Sequence, residues 1–155
     1  KHLPQRLLPV ARRALLYETS DTRPRLVLLP VEDEWDPACG APPYAEDFDT
    51  SCWFGDTPEV VRVHEFPGTS WFLANGFDLF IPASPPSRSL EAAGRPPINQ
   101  TLQRLFSVEW RGNIIIMKRS SRDGHAIHIT RPETSLINVL LQRSVLSRLF
   151  YVITI

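Results

Sequence analysis

The chain has 155 residues, 17 basic and 17 acidic, and its Leu, Ile, Val and Phe number 46. That apolar share is well above the roughly one-fifth below which chains tend to stay disordered. No apolar run nears the ~18 residues a membrane-crossing helix needs, and no glycine-rich phosphate loop, nucleophile elbow, zinc-helix motif or dinucleotide fingerprint is present.

Leu3, Leu7, Leu8, Ala11, Leu15 and Leu16 recur at helical spacing. With Pro9 near a first turn, they predict a helix over Val10–Glu18. The same acid-free, Arg-bearing start also fits the end of an organelle transit peptide. Asp21-Thr22-Arg23-Pro24 is turn chemistry, and Leu26–Val31 follows as a short apolar strand. Pro30 has no N–H for a ladder, so this strand is expected at a sheet edge or ending there.

From Glu32 to Pro58 the periodicity stops, and acids alternate with Trp35, Tyr44, Phe48 and Trp53 in a long irregular loop. Val60–Phe66 resumes a strand pattern, and Pro67-Gly68 turns the chain. Ser70–Ala74, Asn75-Gly76 and Phe77–Ile81 then predict a hairpin with a type I′ turn at Asn-Gly.

Residues 82–97 hold five of the chain's 15 prolines and read as a stiff linker between halves 1–81 and 98–155. Each half is near the lower size limit for independent stability, so the two are expected to share one core in a single domain over 1–155. Ile98, Leu102 and Leu105 suit two helical turns. Phe106, Val108 and Trp110 alternate with polar residues as a strand with one buried face. Gly112-Asn113 leads into Ile114–Met117, an apolar run suited to a central strand covered on both faces. Asp123-Gly124 turns again into His125–Thr130, which completes a three-stranded meander. Thr130-Arg131-Pro132-Glu133 has the form of a capping box. The helix it opens runs to about Leu149, with Leu136, Ile137, Leu140, Leu141 and Val145 on its apolar side, and Tyr151–Ile155 reads as a last strand. Hairpins rather than helices join the strands. The expected fold is therefore α+β, a mostly antiparallel sheet with an N-terminal helix and a longer C-terminal helix packed on it.

Charge is partitioned along the chain: +4 over residues 1–16, −10 over 17–94 and +6 over 95–155. Segregated charge can steer partners of opposite sign or drive salt-sensitive self-association, acidic loop to basic hairpin. The alternative is that the segments neutralise each other in the fold.

Few constellations could carry chemistry. Cys39 and Cys52 read first as two unpaired structural cysteines. A disulfide between them would contribute about 3 kcal/mol, and a zinc site with His64 lacks a C-x-x-C knuckle. His125 and His128, three apart in a strand, point to opposite faces and cannot share a metal. The acidic clusters Glu32-Asp33-Glu34-Asp36 and Glu46-Asp47-Asp49 read as solvated loop, and Asn99-Gln100-Thr101 is a lone glycosylation triplet. No catalytic, cofactor or metal site is expected.

The leading expectation is a non-enzymatic protein-interaction module with Trp35, Tyr44, Phe48 and Trp53 as loop anchors, since aromatics dominate binding hot spots. An alternative is a nucleic-acid-binding domain whose basic surface is Arg111, Lys118, Arg119 and Arg122 around the meander. A further alternative is a small enzyme that uses loop carboxylates with His64.

Overall fold

The computed structural model describes residues 11–33, 46–83 and 96–147. The predicted strand 151–155, Trp35, Cys39 and Tyr44 lie outside them, as does most of the Pro-rich segment. The fold is α+β with the sheet dominant. Among the described residues there are seven strands: β1 (Ala11–Tyr17), β2 (Arg25–Asp33), β3 (Glu46–Phe48), β4 (Glu59–Glu65), β5 (Phe72–Ile81), β6 (Ile114–Arg119) and β7 (Ala126–Ile127). Six lie in the order β3-β2-β1-β6-β5-β4, with β7 paired to β6, and every pairing is antiparallel. Strand β6, from beyond the Pro-rich segment, lies between β1 and β5.

The helices are α1 (Gln100–Phe106) and α2 (Thr134–Leu141). A 3-10 turn over Arg131–Glu133 leads into α2, and a π-helical turn over Gln142–Leu146 extends it. None of the described helices is long and apolar enough to cross a membrane.

The segment expected to be an N-terminal helix is a strand instead. Ala14, Leu15, Leu16 and Tyr17 are consecutive, and all four are buried. A helix would turn at least one of four consecutive side chains away from a single core, whereas a central strand buries all of them on two faces. Leu15 and Tyr17 enter the core layer on the helix side of the sheet, and Ala14 and Leu16 enter the layer on the other side. Strand β6 divides the same way, with Ile114 and Ile116 on one side and Ile115 and Met117 on the other, so the predicted doubly covered strand is observed.

Strand β2 does not end at Pro30, which opposes Ala11 of β1. It is an edge strand up to that residue, and β3 pairs with it only from Val31 to Asp33. Proline is tolerated there because the ladder on its second side begins after it.

The Asn75-Gly76 hairpin does not form. The chain reverses at Pro67-Gly68: the Phe66 carbonyl accepts the Thr69 N–H at 3.0 Å, and Gly68 has φ +80°. Proline followed by a residue of positive φ is the requirement of a type II turn. Asn75 and Gly76 instead lie inside β5, at an irregularity in the pairing. While β4 advances two residues from Val63 to Glu65, β5 advances five from Phe72 to Phe77. Gly76 lies close to the neighbouring strand: a Cβ there would sit 3.0 Å from His64 Nδ1, so any larger residue would have to push that ring aside.

The first strand of the predicted meander is also absent. Helix α1 opens on Asn99, whose Oδ1 accepts the Leu102 N–H, and it ends where Ser107 takes a left-handed conformation with φ 54°. Residues 107–110 then run irregularly, and only Arg111 makes a bridge, to Ile98. The meander reduces to the β6–β7 hairpin. The capping box is present: the Glu133 carboxylate accepts the Thr130 N–H at 3.0 Å, as predicted for the start of the C-terminal helix. Ile137, Leu140, Leu141, Val145 and Leu146 pack beneath that helix, whereas Leu136 is exposed. Tyr17, fully buried, donates its hydroxyl to Asn138 Oδ1 and so ties β1 to α2. Burial pushes its pKa well above the ordinary tyrosine value.

Candidate functional site

The two described aromatics of the acidic loop belong to the fold. Phe48 is buried in the core layer opposite the helices, edge-on to Phe80 with ring centroids 6.2 Å apart. Trp53 packs half-buried against the same layer, with the Arg25 guanidinium 5.7 Å from its ring centre. Its carbonyl accepts the Asn113 side-chain N–H at 2.8 Å. Both rings cover the second face of the sheet, so the expectation that Phe48 is a surface anchor is corrected: its side chain serves the core.

The predicted basic surface is not one patch. Lys118 and Arg119 are neighbours on a strand, so they lie on opposite sides of the sheet. Lys118 Nζ is 2.7 Å from Glu133 Oε2. Arg119 donates through Nε to Asp78, through Nη1 to the Gly124 carbonyl at 3.0 Å, and lies over the Phe48 ring. Asp78 is only 2% exposed, and the exposed Arg62 reaches it from β4 at 3.7 Å. Arg111 lies at the far end of β6, 3.6 Å from Glu109. Of the four, Arg122 alone stands exposed in a turn without an ion pair among the described residues. The missed signal is simple: adjacent strand residues cannot line one surface.

The Glu133 carboxylate is half-buried, which raises its pKa. Hydrogen bonds from Lys118 and Thr130 outweigh that and hold it below the usual glutamate value. Among the described residues no group of three or more His, Cys, Asp or Glu side chains could hold a metal. Cys52 is a free, exposed thiol. His64 is exposed beside Gly76. The backbone N–H of His125 bonds Asp123 Oδ1 at 3.0 Å, and His128 Nδ1 accepts the Arg13 N–H at 2.9 Å.

The surface feature that sequence reasoning missed is the tip of the β4–β5 hairpin. Trp71 is 75% exposed and Phe72 is 79% exposed. They are the two most exposed large apolar side chains among the described residues, and they are adjacent. The tip that carries them is tightly tied. The Phe66 N–H donates to the Trp71 carbonyl at 2.8 Å, and the Thr69 hydroxyl donates to the Phe66 carbonyl at 2.7 Å. The Trp71 N–H donates to Thr69 Oγ1 at 3.2 Å. At the root, Phe66 packs on the helix-side core, and the Arg143 guanidinium lies 5.1 Å from its ring centre. The available signal was the pair of aromatics just after Pro67-Gly68. Placing the turn at Asn75-Gly76 hid it by reading Trp71 and Phe72 as ordinary strand positions.

No family model, no curated protein and no solved structure matches this chain.

Proposed function

We propose that the protein is a non-enzymatic protein-interaction module whose principal anchors are Trp71 and Phe72 at the β4–β5 hairpin tip. The observation that carries this reading is their exposure, 75% and 79%, on a turn held by four hydrogen bonds. An aromatic ring left in water forgoes its burial energy, about 25 cal/mol per Å² over 150–250 Å². Adjacent rings of this kind on a rigid element are the composition of a binding hot spot, and little ordering entropy is lost when a preformed tip docks. Trp35 and Tyr44 of the acidic segment remain candidate further contacts.

The test compares the wild type with a Trp71→Ala/Phe72→Ala variant, each immobilised and exposed to cell extract from its own source. Proteins retained by the wild type are identified, and their affinity for both chains is measured. The double variant is expected to melt like the wild type and to bind at least tenfold more weakly, a loss of about 1.4 kcal/mol or more. Unchanged affinity in a folded double variant refutes the hairpin as anchor. Sedimentation velocity between low and high salt tests self-association through the opposed charges in parallel.

A further inference from the structure

With Lys118 and Arg119 engaged by acids, the meander keeps only Arg122 without an ion pair among the described residues, and two further such arginines meet elsewhere. Strand β7 sits beside the end of β6 that β1 leaves, and the chain then continues along β1. The Ile129 N–H donates to the Arg13 carbonyl at 3.0 Å, and the Arg13 N–H donates to His128 Nδ1 at 2.9 Å. Arg131 follows Ile129 by two residues, at most about 7 Å of extended chain. Arg13, His128 and Arg131 therefore share one corner of the molecule. All three are exposed, and neither arginine has a carboxylate within ion-pair distance among the described residues. The nearest acid in sequence, Glu133, is engaged by Lys118 and Thr130. Because His128 Nδ1 accepts a backbone N–H, the neutral ring carries its proton on Nε2, which leaves that nitrogen a donor. Leu28, the cross-strand neighbour of Arg13, is 65% exposed beside it.

From this juxtaposition we infer a second binding site, independent of the hairpin tip, for the phosphodiester backbone of a nucleic acid. Two guanidiniums and an imidazole N–H are forked and single donors suited to phosphate oxygens. Among the described residues the large apolar side chain exposed across from Arg13 is Leu28, and one such side chain falls short of the alternating set that would grip a peptide. A nucleic-acid backbone needs only cations and N–H groups along its length, and such contacts position a strand without reading its sequence. This relocates nucleic-acid contact from the meander, where only Arg122 is without an ion pair among the described residues, to the β1–β7 corner, where both arginines are.

The test is fluorescence anisotropy of the full chain with labelled oligothymidylate and with a labelled duplex, at about 50 and about 200 mM salt. Binding to either probe is expected, weakening as salt rises. Arg13→Glu/Arg131→Glu should reduce affinity at least tenfold at low salt. It should also make the logarithmic salt slope for the single strand shallower by about 1.4, the value for two lost phosphate contacts. Arg23→Glu/Arg104→Glu, an equal charge change at the opposite end of the sheet, and Trp71→Ala/Phe72→Ala should both bind like the wild type. The inference is overturned if the wild type binds neither probe at low salt or if the Arg23/Arg104 variant loses as much as the Arg13/Arg131 variant. Displacement of the probe by polyglutamate as effective as by unlabelled oligothymidylate also overturns it, in favour of an acidic protein partner. All variants are compared by circular dichroism melting, and Arg13→Gln/Arg131→Gln replaces the reversal if that variant fails to fold.

Discussion

Strand β6 and the tip of the β4–β5 hairpin are made of similar material and use it in opposite ways. In β6, Ile114, Ile115, Ile116 and Met117 are all buried, because β1 and β5 flank the strand and a core layer covers each face. At the hairpin tip, Trp71 and Phe72 have larger side chains and stand in water. Strand β5 contains the whole contrast within itself. Phe77 through Phe80, paired to β6, are buried, while Phe72, past the pairing irregularity and beyond the end of β6, is not. The contrast teaches that hydrophobicity alone does not place a side chain inside. Position in the sheet order decides how many neighbours a residue can find, and a large ring that finds none is available to a partner.

The widest test of that contrast is a pair of truncations. Ile116→Ala removes a side chain touched from both neighbouring strands and the helix layer, and is expected to cost about 4 kcal/mol in urea unfolding. Trp71→Ala removes more atoms and should change stability by less than about 0.5 kcal/mol. A large cost at Trp71 would mean that the tip is part of the core, and the comparison would fail.

A somewhat smaller effect is expected where the sheet buries charge. Asp78→Ala removes the carboxylate that neutralises the Arg119 guanidinium in the second layer, at a cost of about 3 kcal/mol. The double change Asp78→Val/Arg119→Met should recover most of that loss, since a well-packed apolar pair is often as stable as a buried ion pair. If the double variant is no more stable than the single one, Arg119 does more than answer Asp78.

The smallest effect lies at the start of α2, where charge is only half-buried. Glu133 has a lowered pKa in the folded protein, so its contribution is complete above the unfolded glutamate range and is lost as pH falls through the folded value. Glu133→Gln is expected to cost about 1 kcal/mol near neutral pH. The gap to the wild type should shrink as unfolding is repeated at progressively acid pH. A gap that stays constant down to strongly acid pH would show that the carboxylate charge contributes nothing.

Parts of this architecture are legible in the linear chain. Ile114–Met117 announces a doubly covered strand because no polar residue interrupts it. Thr130 and Glu133 announce a helix start because a capping box is satisfied within four residues. Ile137, Leu140, Leu141 and Val145 follow the period of one helix face. Two strong local signals misled. Asn75-Gly76 is the preferred material of a tight hairpin, yet here it lies within a strand, because the turn at Pro67-Gly68 already reverses the chain and β6 takes up the pairing of Gly76 through Phe80. Leu15 and Leu16 suit a helix by spacing, but local preferences of up to about 0.7 kcal/mol per residue yield to burial on two faces, worth about 1.5–3 kcal/mol for each large apolar side chain.

The candidate sites were the least legible because both depend on which segments become neighbours. Phe48 looked like an anchor by residue type, yet the second core layer claimed it. Lys118 and Arg119 looked like a basic patch, yet strand alternation separated them and acids distant in the chain, Glu133 and Asp78, engaged them. What the sequence determined by itself is therefore local: the turn at Pro67-Gly68, the cap at Thr130, the apolar periods, and an α+β composition. What only the tertiary structure decided is the order β3-β2-β1-β6-β5-β4. That order leaves Trp71-Phe72 beyond the end of β6 and brings Arg13 to His128 and Arg131. Local choices rest on interactions within a few residues, whereas exposure at a site is set by long-range pairing, which short-range preferences do not specify.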